Sequence, residues 1–158
     1  MDLQDDSKKY KSISVWDHTL YVLRLAYRGP KVEGFYDGVE RLSIDTYRLE
    51  NGDPDLSVFN RSLDLAEIVG DISKKSAYGM VISEGVIYLA LYDGDKHIEI
   101  YAIDAKTGQL RWDKLQDGKV RFDRSFLGMV FYHMRVFGDE LILTAHAEHN
   151  GFVLVNTK

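Results

Sequence analysis

The chain has 158 residues, of which 45% are hydrophobic and 28% are charged, and it carries a net charge of −5. This length suits one domain, and the acidic balance without a Lys/Arg cluster argues against nucleic acid as the main partner. The sequence has no cysteine, which excludes disulfides, thiolate metal sites and cysteine nucleophiles. Ten Tyr and seven Phe against two Pro favour strands.

The N-terminal run "MDLQDDSKKY" is acidic and then basic, with no apolar stretch. It therefore predicts a flexible tail over residues 1–11 and not a signal peptide. No run in the sequence approaches the ~20 apolar residues that a membrane helix needs, so we expect no membrane partner. Together with the lack of cysteine, these features favour a cytoplasmic location.

The first unit of the predicted fold covers residues 12–61. Two β-rich runs, His18–Tyr27 and Leu42–Asp53, flank a long insertion, and Asn51-Gly52 supplies turn chemistry at the end of the second run. The segment Leu65–Ser73 follows this unit. Its apolar residues at 65, 68, 69 and 72 have helical spacing, which predicts a short helix.

The second unit, residues 78–114, contains the clearest strand pattern. Val86–Tyr92 and His97–Asp104 are β-rich runs separated by an Asp-Gly-Asp turn. We expect the Asp104 side chain to cap nearby backbone amides and Gly108 to adopt positive φ, with a further strand over Gln109–Trp112. With the short run before Val86, this predicts a four-stranded antiparallel meander.

The third unit, residues 131–158, repeats the pattern a third time. "GDELILTAH" resembles the Val86 run, and "GFVLVNTK" matches the run that ends at Asp104, so Asn156 takes the place of Asp104. This unit has three predicted strands and stops before its expected outer strand. A period of about fifty residues with four strands per repeat is typical of a β-propeller. The sequence therefore predicts an all-β single domain over residues 12–158, with about three antiparallel four-stranded blade-like repeats in a partial propeller; a β-sandwich or barrel is the alternative.

The second unit resembles the quinoprotein (PQQ-like) propeller repeat. Tyr101–Asp104, Thr107-Gly108 and Trp112 occupy the places of that family's strand, turn and Trp. The resemblance implies either a dehydrogenase that holds pyrroloquinoline quinone and calcium in an eight-bladed ring, or a non-catalytic scaffold that binds proteins. Three blades cannot close a ring, and the vicinal Cys pair of many such enzymes is absent. We therefore expect a non-catalytic member or a partial propeller, without a cofactor.

Motifs that could carry chemistry have simpler interpretations. His146 and His149 are spaced for a metal on a helix, but Asn150-Gly151 is a hairpin signal, and residues three apart on a strand point to opposite faces. The alternating acids that begin at Asp93 resemble a calcium loop, yet the twelfth position is Asp104 and not Glu. No serine lies in a nucleophile elbow and no phosphate loop is present. The sequence thus predicts neither a metal site nor an enzyme.

The loops Arg28–Glu40, Asp93–His97 and His146–Gly151 should lie on one face of a propeller, where they could bind a partner protein. A partner with a basic patch would suit the negative charge, and a second copy could complete the ring. The alternatives are a fragment of a larger quinoprotein-like propeller whose ligand site needs the missing blades, a small carbohydrate site, and a first loop folded onto the protein's own core. The predicted partner-binding residues are Phe35, Tyr36, Asp37, Asp93, Asp95, His97, Glu148 and His149.

Overall fold

The computed structural model describes residues 8–29, 38–93, 97–123, 131–145 and 151–158. The chain divides into two compact units, Met1–Lys75 and Ser76–Lys158, and each is described by itself. The described residues form three antiparallel sheets of four, four and three strands with almost no helix. The predicted all-β class and the repeated antiparallel sheets are thereby confirmed.

The first unit holds one four-stranded meander and one short helix. Its elements are β1 (Lys8–Trp16), β2 (Thr19–Tyr27), β3 (Val39–Glu50), β4 (Asp53–Asp64) and α1 (Ala66–Val69), and the strands pair in chain order. Positive φ at Asp17, His18, Asn51 and Gly52 gives the two hairpin turns the left-handed backbone that two-residue loops require. One face of the sheet is fully buried at Leu23, Leu42 and Ile44.

Two boundaries in the first unit differ from the sequence prediction. β1 begins at Lys8, inside the segment that the sequence predicts as a tail, and its residues pair with β2 as far as Ala26. The predicted helix over Leu65–Ser73 is present only at Ala66–Val69. It ends there because Gly70 adopts φ +73°, and Asp71 then accepts the Ser73 N–H at 2.9 Å in a tight turn.

The second unit holds the other two sheets. The strands β5 (Ser76–Ser83), β6 (Val86–Tyr92), β7 (His97–Asp104) and β8 (Lys119–Asp123) form one meander. The strands β9 (Phe131–Phe137), β10 (Glu140–Ala145) and β11 (Gly151–Asn156) form the other, in the order β11-β10-β9. The third sheet therefore has three strands among the described residues, as the repeat pattern predicts.

The turn after β7 has the predicted chemistry, but the strand expected after it does not form. Asp104 Oδ1 accepts the N–H groups of Lys106 at 2.9 Å and Thr107 at 2.7 Å, and Gly108 has φ +78°. In the predicted strand Gln109–Trp112, only Leu110 makes a β-bridge, to Ile103. The chain instead turns again at left-handed positions near residue 115, and the fourth strand is β8 at Lys119–Asp123.

The second and third sheets of this unit pack through one apolar face each. Ile98, Ile100 and Ala102 of the second sheet share a core cluster with Leu141 and Leu143 of the third. On the opposite face of the second sheet, side chains of β6 and β7 are also buried, so both of its faces are covered. This explains why its central strands are apolar at successive positions instead of alternating.

Candidate functional site

The predicted partner-binding loops are only partly described by the structure. Asp93 and His97 are placed, and the ends of the first loop are joined where the Arg28 N–H donates to the Gly38 carbonyl at 3.0 Å. The predicted role of the other loop residues stays a prediction, because they lie outside the described residues. These are Phe35, Tyr36, Asp37, Asp95, Glu148 and His149.

Asp93 connects the two ends of the hairpin between β6 and β7 to strand β8. Its carboxylate accepts the His97 backbone N–H at 3.1 Å and Nη2 of Arg121 at 2.6 Å, and its side chain is 9% exposed. The same Arg121 Nη2 lies 3.0 Å from Nδ1 of His97. The two described residues of the predicted site are therefore joined in one network, which stabilises the hairpin and the β7–β8 pair.

A second ionic group follows along the same strands. Glu99 is buried, and its carboxylate accepts the Tyr101 hydroxyl at 2.7 Å and Nζ of Lys119 at 2.9 Å. Burial, together with the hydrogen bond to Glu99, raises the pKa of Tyr101 far above its usual range, so the phenol remains protonated. The carboxylates of Asp93 and Glu99 are each paired with a cation of β8, which is an arrangement that fixes an outer strand.

The third sheet leaves an apolar surface open to solvent. Phe152 is 67% exposed, Phe137 59% and Leu154 49%, and the strand register places all three on the face opposite Leu141 and Leu143. We call these three residues the open face of the third sheet. Phe152 and Leu154 lie together on β11, whereas Phe137 lies two strands away on β9, and Arg135 and Glu140 share the face, so the apolar part of this face is centred on β11.

A groove of about 680 Å³ borders this open face along the outer edge of β11. Its apolar lining comes from β8 and β11, and polar side chains such as Gln116 and Asn156 also line it. In the described part of the chain, β11 pairs with β10 on one side and with no strand on the other. The residues that line the groove include Val120, Phe122, Asp123, Val153, Val155 and Lys158.

The first unit also has a partly apolar outer face. Ile13, Val15 and Phe59 are exposed on the same face of its sheet, and Phe59 meets Tyr47 edge-on with ring centroids 5.6 Å apart. Farther along this face, buried Asp45 accepts Nη1 of Arg24 at 2.6 Å and the Ser62 hydroxyl at 2.6 Å. The hydrogen bonds of Asp45 are thus made within the sheet. The apolar end of this face, with Ile13, Val15 and Phe59, is the part that could contact another molecule.

No group of three or more His, Cys, Asp or Glu side chains able to hold a metal ion is assembled in the described ranges. None of the described helices has the length and apolar character to cross a membrane. Comparisons with family models, with curated proteins and with solved structures find no match for this chain.

The open face of the third sheet is absent from the residues that the sequence singles out. The signal for it lies in "GFVLVN", where every position from Phe152 to Val155 is apolar. Such a run indicates a strand that is apolar on both faces, but it does not indicate which face is covered. Only the packing of Leu141 and Leu143 on the second sheet identifies Phe152 and Leu154 as the exposed pair.

Proposed function

We propose that this protein is a non-catalytic protein-binding module. The observation that carries the proposal is the open face of the third sheet, where Phe137, Phe152 and Leu154 are exposed and the last two line the groove at β11. Protein interfaces are enriched in aromatic and apolar side chains at their centres, with polar residues around them. Lys158, Asn156 and Asp123 supply polar groups among the residues that line this groove.

The ionic groups of the second sheet support a scaffold role. Asp93 and Glu99 are paired with Arg121 and Lys119, so these carboxylates hold strands β7 and β8 together. The net charge of −5 favours a partner with a basic patch around its apolar contact.

We further propose that the three sheets are successive blades of a partial propeller of the PQQ-like type. Each sheet is an antiparallel meander in chain order, and the second and third pack through apolar faces, as neighbouring blades do. The predicted loop residues, which include Phe35 and Tyr36, stay separate candidates for partner binding.

A site-specific photocrosslinker tests the binding function directly. Benzoylphenylalanine is introduced at Phe152, and in a matched control at Trp112, which is equally exposed at 67% but lies on a turn. In cells that naturally contain the protein, we expect a discrete crosslinked protein at position 152 and none at 112. A crosslink to a second copy would identify the partner as this chain itself. Equal labelling at both positions, or no discrete product at 152, would rule out the open face as the binding surface.

A ligand site shared with further blades is the second candidate function. The observation that favours it is that the third sheet has one strand fewer than the other two among the described residues. Titration with pyrroloquinoline quinone and calcium, followed by absorbance, tests whether this chain holds any part of such a site. A saturable spectral change would favour this candidate over the protein-binding module.

A further inference from the structure

We propose that the outer edge of β11 binds an extended segment of a partner protein as an added antiparallel strand. The segment would carry apolar side chains at two alternate positions, and these would enter the groove lined by Val120, Phe122, Val153 and Val155. Strand addition to a sheet edge is an established mode of peptide recognition, in which main-chain hydrogen bonds give affinity and side-chain pockets give specificity. This inference rests on the proposed protein-binding function and specifies how the partner is held.

The hydrogen bonds of the third sheet define which groups face the edge. The Thr157 N–H donates to the Asp139 carbonyl at 2.8 Å, one step beyond the paired residues Asn156 and Glu140. Backbone groups in an antiparallel strand alternate in direction, so residues 153 and 155 bond to β10. Leu154, like Phe152 and Asn156, therefore directs its N–H and C=O groups to the outer edge of β11. No described strand pairs with these groups.

In the second sheet, the position beside the third strand, β7, is filled by a fourth strand, β8. The Ala105 N–H donates to the Gly85 carbonyl at 2.9 Å, which corresponds to the Thr157 bond in the third sheet. Ala102 then directs its N–H outward and donates to the Gly118 carbonyl at 2.8 Å, beside the β7–β8 pair. The position that β8 fills in the second sheet is the position that the added strand would fill in the third.

The side chains around the groove define the chemistry of the added strand. Val120 and Phe122 alternate along β8 and face the core cluster, and Val153 and Val155 alternate along β11 in the same way. An added strand beside β11 would present every second side chain to these four residues. Apolar residues at positions i and i+2 fit this environment, whereas charged residues would lose hydration there.

We assign the occupant as a single extended segment, because one strand, β8, fills the corresponding position of the second sheet.

Two substitutions at Leu154 isolate the edge, because both remove the same open-face side chain and only one of them also removes the backbone N–H. The probe is a fluorescein-labelled peptide with the β8 sequence KVRFD and a glycine at each end, measured by fluorescence anisotropy. Leu154→Ala keeps the backbone N–H, and we expect it to weaken peptide binding at most about fivefold, through lost cross-strand contact. Leu154→Pro removes the N–H that faces the edge, and we expect binding about tenfold weaker than that of Leu154→Ala. Equal losses in the two variants would assign the binding to the side chain and overturn strand addition.

A second readout uses the unchanged protein, so it does not depend on the folding of any variant. The peptide is N-methylated on one or the other alternate set of its amides, and we expect only one set to abolish binding, because alternate amides of an added strand point away from β11. Loss with both sets, or with neither, would overturn the proposal, as would no saturable binding at millimolar peptide. In that last case a discrete crosslink at Phe152 would leave the proposed protein-binding function standing, and its absence would remove both.

Discussion

Replacing Asp93 with Asn tests whether this residue holds the second sheet together or contacts a partner. The carboxylate is largely buried and accepts the His97 N–H at 3.1 Å and Nη2 of Arg121 at 2.6 Å. A hydrogen bond to a charged group contributes about 1.5–3 kcal/mol, whereas an exposed ion pair contributes about 0–1 kcal/mol. Because Arg121 is about half exposed and can be rehydrated, we expect Asp93→Asn to lower the free energy of unfolding by about 1–2 kcal/mol.

Urea unfolding followed by circular dichroism measures this change, with Asp117→Asn as the control. Asp117 is an exposed turn residue with φ +56°, a conformation that Asn accepts readily, so its replacement should leave the midpoint unchanged. A double-mutant cycle with Arg121→Ala should show coupling of the order of 1 kcal/mol. A normal urea midpoint for Asp93→Asn, together with loss of partner binding, would refute the structural role and restore Asp93 as a contact residue.

Three further predictions concern the core, the acid response and the first loop. Leu143→Ala should lower the free energy of unfolding by about 2–5 kcal/mol in urea titrations, because Leu143 is fully buried between two sheets; a loss below about 1 kcal/mol would contradict that packing. Partial burial opposes ionisation of Asp104, but bonds from Thr107 and other nearby groups outweigh it and hold its pKa below the usual range. The ionised Asp104 should thus stabilise the fold fully above about pH 4, and this stabilisation should disappear as the pH falls through the lowered pKa. In Asp104→Asn the free energy of unfolding should fall less steeply with acid than in the unchanged protein. An identical pH dependence in the two proteins would contradict this. Phe35→Ala/Tyr36→Ala should abolish capture of the crosslinked partner without changing the thermal midpoint, and full retention of the partner would reject the loop assignment.

The strands and turns that depend on neighbouring residues could be predicted from the sequence. The runs that become β6, β7, β10 and β11 are β-rich and end in turn residues, and the turn at Asp104 needs only its own side chain and the amides that follow. These signals act within a few residues of one another. The number of strands per sheet followed from them and from the repeat.

The fourth strand of the second sheet could not be placed in the same way. Gln109–Trp112 has an apolar pattern, but the chain leaves β7 after one bridge at Leu110 and turns at Leu115 and Asp117, two non-glycine residues with positive φ. Leu115 is buried in the core cluster, so a contact distant in sequence fixes this backbone. The strand that does form, "KVRFD", has a weak local signal because three of its five residues are charged.

The candidate site was only partly predictable for a related reason. The repeat predicts three strands in the third unit, and among the described residues no strand pairs with the outer edge of β11. The sequence predicts loop aromatics such as Phe35 as binding residues, because loops commonly carry function. Which face of β10 and β11 stays open depends on sheet packing, and a run that is apolar on both faces carries no information about it.

The charged side chains of β8 have a consequence for how the protein behaves in concentrated solution. Lys119, Arg121 and Asp123 occupy alternate positions on this strand, at the outer edge of the second sheet. Charged side chains at a sheet edge oppose the addition of another strand, because a strand that pairs there must desolvate them. β11 has no charged residue between Gly151 and Asn156. The edge at β8 therefore resists pairing with another strand, whereas the edge at β11 accepts it. This difference favours complexes with one partner over open-ended polymers.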